Sequence, residues 1–296
     1  MNGILISILS GITFGLFQTV NRQAGKQANV YQSTFVLLLV SSLVLGGITA
    51  VSQPLSLLQN IPALAVLYFA LAALIHFFVG WTLLSISQQR VGAARTSALL
   101  GTMPLWATVM GVFFFDEFLS AYVFVGIGLI IVGTYIVSSG KKPPANSAVE
   151  TGLRASLFAL GTAVCFASSA IFIRYGLVLL PSPLIGVTIG MIVVTVLYGA
   201  LLWFRPFNDQ ASVKLKGKLL WLQILAGVLV AVATWWRWMA LDLTSIAVVV
   251  SLSRLSVPTV LLLSPFFIGQ QWEHVTRRVW IGAGVIIAGA LVLTFS

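Results

Sequence analysis

Titratable side chains inside long apolar runs are the residues of this chain that could do chemistry. His76 lies between Ile75 and Phe77, and Arg254 lies one helical turn before Pro258. Such groups are costly to bury, so each either serves a function or is satisfied by a neighbour. His76 is predicted to be a cavity donor or proton carrier, or a neutral histidine bonded to another helix. Arg254 is predicted to line a cavity or gate, or to reach toward a nearby polar interface.

A tryptophan-rich stretch offers a second group of candidates. Arg237 stands within Thr234–Trp238, and Asp242 follows five residues later, where it could pair with the arginine or take part in a gate. Such a stretch is typical of an interfacial belt, or of a stacking wall for a planar ligand beside a cation. The candidate cavity tryptophans are Trp81, Trp235 and Trp238.

Two stripes of polar and aromatic residues at helical spacing complete the candidate lining. Such polar residues also make ordinary bonds between helices, and such aromatics often only pack. The candidates are Phe14, Gln18, Asn21, Phe166, Ser169 and Tyr175.

The six acids all fall in predicted loops or at predicted helix ends. With no acid at depth to offset the arginines, a substrate with a carboxylate or other anionic group is favoured. No HExxH motif, no metal-ligand cluster and no pair of acids at depth is present, so neither an enzyme nor a cofactor or metal is predicted. The acids are Asp116, Glu117, Glu150, Asp209, Asp242 and Glu273.

The elements that must position these residues are membrane helices. The chain is 59% hydrophobic and 7% charged, with a mean hydropathy of +1.06, and its apolar runs are long enough to cross a bilayer. We predict an all-α integral membrane protein with ten crossings, at 3–21, 32–51, 61–86, 94–115, 119–138, 154–175, 183–204, 218–241, 245–267 and 279–295. The expected partners are the bilayer and a small-molecule substrate, with no nucleic acid; the chain is expected to be a monomer or a homodimer.

The ten crossings read as two copies of a five-helix pattern. Five is odd, so the second copy must run through the membrane inverted, which is the geometry of alternating access around a central cavity. We predict repeats at 1–139 and 153–296, joined by a linker at 140–152. Pro104 and Pro258 predict matched kinks. The matched pairs include Arg22 with Arg174, Trp81 with Trp235, Ser97 with Ser251, Pro104 with Pro258, and Glu117 with Glu273.

Basic residues predict the orientation. The loops after the odd-numbered crossings hold thirteen of the sixteen, so these loops are expected in the cytoplasm and both termini in the periplasm, with the protein in the inner membrane. The thirteen are Arg22, Lys26, Arg90, Arg95, Lys141, Lys142, Arg154, Arg205, Lys214, Lys216, Lys218, Arg277 and Arg278.

Each repeat resembles an EamA-type unit of the drug/metabolite transporter superfamily. The resemblance lies in Pro104 or Pro258, then an apolar run to Glu117 or Glu273, then a glycine-rich last helix. It implies ten helices around a cavity, with crossings five and ten as packing elements, and a capping or gating role for the two glutamates. The family is usually drawn with cytoplasmic termini, contrary to the charge pattern here. The packing glycines are Gly126, Gly128, Gly133, Gly282, Gly284 and Gly289.

The expected function is secondary transport, by export or facilitated passage, of a small polar, zwitterionic or anionic metabolite such as an amino acid. The alternative is a flippase for a lipid-linked head group. A flippase would need a lateral opening and an anionic-headgroup site, which basic residues such as Arg254 could serve.

Overall fold

The computed structural model describes residues 3–24, 30–91, 93–139, 153–204, 217–268 and 277–295, and all regular structure in these ranges is helical. The helices are α1 (Gly3–Ala24), α2 (Val30–Ser52), α3 (Leu55–Gln59), α4 (Ala63–Ala73), α5 (Trp81–Val91), α6 (Ala93–Leu100), α7 (Met103–Phe115), α8 (Ala121–Ser139), α9 (Leu153–Leu179), α10 (Pro183–Phe204), α11 (Lys218–Leu243), α12 (Ile246–Leu252), α13 (Ser256–Ile268) and α14 (Arg277–Val292). A π-helix, Leu74–Gly80, joins α4 to α5, and a 3₁₀-helix, Ser253–Leu255, joins α12 to α13.

Nine helical segments in the described ranges are long and apolar enough to cross a membrane, which confirms the predicted fold class. The fourth predicted crossing is the exception, because it divides into α6 and α7, and α7 alone is a shorter apolar helix. The third and ninth crossings also contain more than one element, but each is continuous enough to qualify.

The fourth and ninth crossings are interrupted just before their prolines. Proline has no backbone N–H, so the carbonyl four residues before it loses its helical partner. In the fourth crossing that carbonyl belongs to Leu100, and the chain turns at Gly101–Thr102 before α7 begins. In the ninth crossing the 3₁₀-helix lies ahead of Pro258. The matched kinks predicted from the sequence are thus matched interruptions.

Crossings five and ten, for which the sequence predicts a packing role without naming a partner, pack directly on each other through glycines. A Cβ at Gly133 would lie 2.7 Å from the Gly282 carbonyl oxygen, and a Cβ at Gly282 would lie 2.7 Å from that of Gly133. Gly126 and Gly289 approach each other in the same way. Close backbone approach of this kind is typical of membrane helix pairs. The two remaining candidates, Gly128 and Gly284, face open space, so their predicted packing role is wrong.

One end of the helix bundle holds both ends of the described chain. Successive crossings alternate in direction, so the described chain begins and ends on one side, which we call the terminus side. Gly3 lies there against Leu243 and Thr244, at the turn between α11 and α12. The turn between α7 and α8 lies on this same side.

Candidate functional site

His76 is the centre of a hydrogen-bonded group that joins the first half of the chain to the second. It lies in the π-helix of crossing three and is 8% exposed. Its Nδ1 lies 3.1 Å from Ser169 Oγ, and Arg237 Nη1 lies 3.4 Å from its Nε2. Arginine can only donate, so Nε2 accepts and the ring proton sits on Nδ1, which donates to Ser169. Ser169 donates in turn to the Phe166 carbonyl.

Arg237 therefore points to His76 in the first half of the chain and not to Asp242. Its Nη2 donates to the Phe166 carbonyl at 3.3 Å, and it is only partly buried. Asp242 is exposed near the end of α11, and the described contacts include no bond between these two residues. The predicted Arg237–Asp242 pair is wrong, because five helical positions turn the two side chains to different faces.

Arg254 also contacts the first half of the chain. Its Nη2 donates to the Leu100 carbonyl and lies 3.4 Å from Met103 Sδ. Leu100 is the residue whose carbonyl Pro104 leaves without a helical partner. The guanidinium of the ninth crossing thus satisfies the break in the fourth.

Both guanidiniums keep a polar atom without an acceptor. Nε of Arg237 and Nε of Arg254 are buried, and in the described part of the chain neither has a hydrogen-bond partner. No described carboxylate bonds either arginine, because Glu117 pairs elsewhere while Asp116 and Asp242 are exposed. Buried cations without a counter-charge are costly, so an anionic group arriving here would be stabilised.

Aromatic rings surround the His76 group. Phe166 stacks on the imidazole at 4.4 Å, and Phe77 meets it edge-on at 4.7 Å. Trp81 packs against Phe77, and Trp238 is buried against Phe69, so neither ring has a described contact with Arg237. Trp235 is half-buried in the same core.

The candidates on α1 are not drawn into this group by any described bond. Phe14 packs on Phe17 at 5.2 Å, Gln18 is exposed and Asn21 is half-buried. Their predicted role as cavity residues stays a prediction. Glu273 lies outside the described residues.

Glu117 is buried, although it follows the end of α7. Its side chain is 8% exposed, and Oε1 lies 2.6 Å from Arg174 Nη1. The same oxygen accepts the Ile246 N–H at 2.9 Å, at the start of α12. The expectation that no acid is buried is therefore wrong, while the capping role implied for Glu117 fits this contact.

Two residues of the site were missed from the sequence. Arg174 was noted only as the repeat match of Arg22, and Leu100 carries no chemical signal because its backbone makes the contact. The signal for Arg174 was present in the repeat pattern itself. Arg174 matches Arg22 and Glu117 matches Glu273, so residues of opposite charge recur at matched positions in both predicted repeats. That recurrence could have suggested an ion pair.

Comparison with known proteins gives a family match for the first part of the chain. Residues 1–139 match the EamA-like transporter family. No curated protein sequence matches the chain significantly. A crystal structure titled only as that of a protein has a TM-score of 0.76 over 99% of this chain and 97% of its own, at 16% identity. At that identity the likeness shows a shared fold alone.

Proposed function

Because residues 1–139 match the EamA-like transporter family, we propose that this chain is a secondary transporter for a small metabolite that carries an anionic group. Members of this family are transporters rather than enzymes. Zwitterions such as amino acids fall within the proposed class. The proposed mechanism is alternating access, in which the two repeats rock about the interface that holds His76, Arg237 and Arg254.

One observation supports this choice of substrate. Two arginines cross the repeat interface, each has a buried Nε without a described acceptor, and no described acid neutralises them. A carboxylate or phosphate would supply the missing acceptor as a charge-assisted hydrogen bond. A cation would be repelled by the same groups.

A flippase remains the second candidate, because an anionic head group would meet the same arginines. It requires an opening between helices toward the lipid. A scrambling assay with fluorescent anionic lipid in proteoliposomes separates the two functions, since a metabolite transporter leaves lipid asymmetry unchanged.

The test is uptake into proteoliposomes. Radiolabelled glutamate, succinate, alanine, uridine and putrescine represent a net anion, a dianion, a zwitterion, a neutral solute and a dication. We expect uptake of at least one probe that bears a carboxylate. Loss of a charge-assisted bond of roughly 1.5–3 kcal/mol lowers affinity about 10- to 150-fold, so Arg237→Gln and Arg254→Gln should each reduce that uptake strongly.

Arg90→Gln is the matched control, because Arg90 is exposed near the end of α5 and stacks on Phe158. This variant should transport normally. Uptake of putrescine or uridine alone would overturn the proposal. Full uptake by folded Arg237→Gln and Arg254→Gln proteins would overturn it as well.

We also propose that the protein lies in the inner membrane with its termini in the periplasm. The support is the distribution of basic residues between the two sets of loops, following the positive-inside rule.

A further inference from the structure

Arg174 joins four helix ends on the terminus side. Its Nη1 bonds Glu117 Oε1 at 2.6 Å, beyond the end of α7. Its Nε donates to the Leu241 carbonyl at 3.0 Å, and its Nη2 donates to the Thr244 carbonyl at 2.7 Å. These carbonyls belong to the end of α11, where the last turn lacks helical partners. Glu117 receives the Ile246 N–H of α12 on the same oxygen.

A tight turn places the carboxylate. Asp116 adopts a positive φ of 49° directly after α7, and the Glu117 N–H bonds back to the Gly111 carbonyl at 3.3 Å. The Glu117 carboxylate then lies against Gly111, where a Cβ would collide with it. Because Gly111 has no side chain, it leaves room for the Glu117 carboxylate at this end of the bundle.

Four aromatic rings lie beside the ion pair and form what we call the aromatic layer: Tyr68, Phe115, Phe172 and Tyr175. Phe115 and Tyr175 are 5.1 Å apart, Tyr175 and Tyr68 are 5.6 Å apart, and Tyr68 and Phe172 are 6.5 Å apart. The Arg174 guanidinium also stacks over Phe115 at 5.2 Å.

Apart from the two Arg174 bonds to the Leu241 and Thr244 carbonyls, which stay within the second repeat, these contacts join one repeat to the other. Tyr68, Phe115 and Glu117 belong to the first repeat, and their partners belong to the second. Arg174 follows Phe166 by eight residues on α9, which is about 12 Å along a helix. The contacts therefore close the bundle on the terminus side of the His76 group, and the two repeats cannot separate there while they persist.

We infer that the Arg174–Glu117 pair and the aromatic layer are a gate that closes the terminus side and opens once in each transport cycle. Within the proposed cycle, moving the repeats apart on this side breaks the ion pair, the Ile246 N–H bond to Glu117 and the ring contacts together, while the two carbonyl caps stay within the second repeat. The gate is independent of the substrate's charge, because none of its residues bonds the His76 group.

The first test measures the reactivity of a reporter thiol. Cys165 is replaced by alanine, and Tyr68→Cys is treated with a membrane-impermeant maleimide from each face of sealed membranes. Ser56→Cys in α3 is exposed, and the face at which it reacts identifies the terminus side. We expect Tyr68→Cys to react slowly from that face. Glu117→Gln removes the charge of the pair and should raise the rate at least several-fold.

Asp116→Asn is the matched control. Asp116 is the neighbouring acid, is exposed, and occupies a backbone conformation that asparagine tolerates. It should leave the rate unchanged. An unchanged rate in Glu117→Gln, or an equal rise in Asp116→Asn, would overturn the inference.

The second test needs no change to the ion pair, so it holds even if Glu117→Gln fails to fold. Phe115→Cys and Tyr175→Cys are joined in protein that keeps Arg174 and Glu117 by a short bis-methanethiosulfonate reagent, which forms a disulfide with each cysteine and releases methanesulfinate. Cross-linked protein should lose uptake of whichever panel probe the cysteine variant transports, and a reductant should restore it. Full uptake with the cross-link in place would show that this side does not open.

The two proposals fail in different ways. Failure of the charge preference changes which probe is taken up and leaves the maleimide result intact. Failure of the gate leaves the substrate preference intact.

Discussion

His76 uses both ring nitrogens to hold neighbouring groups, so its structural role is to position Arg237. Nδ1 is bonded to Ser169 and Nε2 to the guanidinium. Because arginine has no acceptor atom, the histidine must present a lone pair to it. In the proposed transporter, Arg237 is then the group that meets the substrate, and His76 fixes where its charge lies.

This assignment predicts different effects for two substitutions of His76. Removing a single hydrogen bond costs about 0.5–1.5 kcal/mol, or roughly 2- to 12-fold in a binding constant. His76→Phe should raise the KM for the transported probe by that factor. His76→Gln retains a side-chain acceptor for Arg237 and should stay within about twofold of the native protein. Equal KM values for both variants would show that the bond to Arg237 does not matter.

Residue types alone predicted part of this site. His76 and Arg254 stand out because each interrupts an apolar run, and that signal is local. The partners of these two residues carry no such local signal, because Arg237 lies 161 positions from His76 and Arg254 bonds to a backbone carbonyl. Glu117 is predicted to lie at a helix end, and the turn at Asp116 folds its side chain inward there. Backbone reversals of one residue are not visible in hydropathy.

At the scale of elements, α8 and α14 form a closely packed pair. The contact is reciprocal: the Cβ built on Gly133 meets backbone atoms of α14, and the Cβ built on Gly282 meets backbone atoms of α8. Because backbone cannot move aside as a side chain can, this crossing tolerates no larger residue.

Substitution of single glycines on α8 tests this packing. Gly133→Val places methyl groups against the Gly282 carbonyl and the Ile286 nitrogen, and overpacking of this kind costs about 1–3 kcal/mol. We expect a lower midpoint of thermal unfolding for detergent-purified protein. Gly128→Val, on the same helix, meets nothing within 4 Å and should leave the midpoint unchanged. A Gly133→Val protein as stable as the native one would contradict the packing.

Hydropathy located the crossings well because length and apolar content are properties of one segment. It could not show that crossing four divides into α6 and α7, nor that His76 lies in a π-helix. Both interruptions depend on what other helices supply. The Leu100 carbonyl, for example, can lack its helical hydrogen bond because Arg254 donates to it instead.

At the scale of the whole molecule, the arrangement as two inverted repeats stays a prediction. The reciprocal glycine contacts and the matched interruptions in crossings four and nine are what a two-fold axis in the membrane plane would produce. The contacts at His76, at Arg254 and at the Arg174–Glu117 pair all join one half of the chain to the other.

The orientation of the whole chain is tested with a reporter that fluoresces only in the cytoplasm. Fused after Ser296, the reporter should be dark, because the loops after the odd-numbered crossings carry thirteen basic residues and are expected in the cytoplasm. Fused to a chain ending at Ser139, it should be bright. Bright cells from the first fusion and dark cells from the second would reverse the assignment.

The π-helix has a consequence for rates. Crossing three contributes His76 from a π-turn, whereas crossing eight contributes Arg237 from the unbroken helix α11. A substrate in the proposed cavity therefore meets different groups from the two halves, and its approaches from the two membrane faces are not mirror images. The half-saturation concentration and the maximal velocity of inward transport then differ from those of outward transport. For an uncoupled carrier the ratio of these two constants must still be equal in both directions, since no contact within the protein can sustain a gradient by itself.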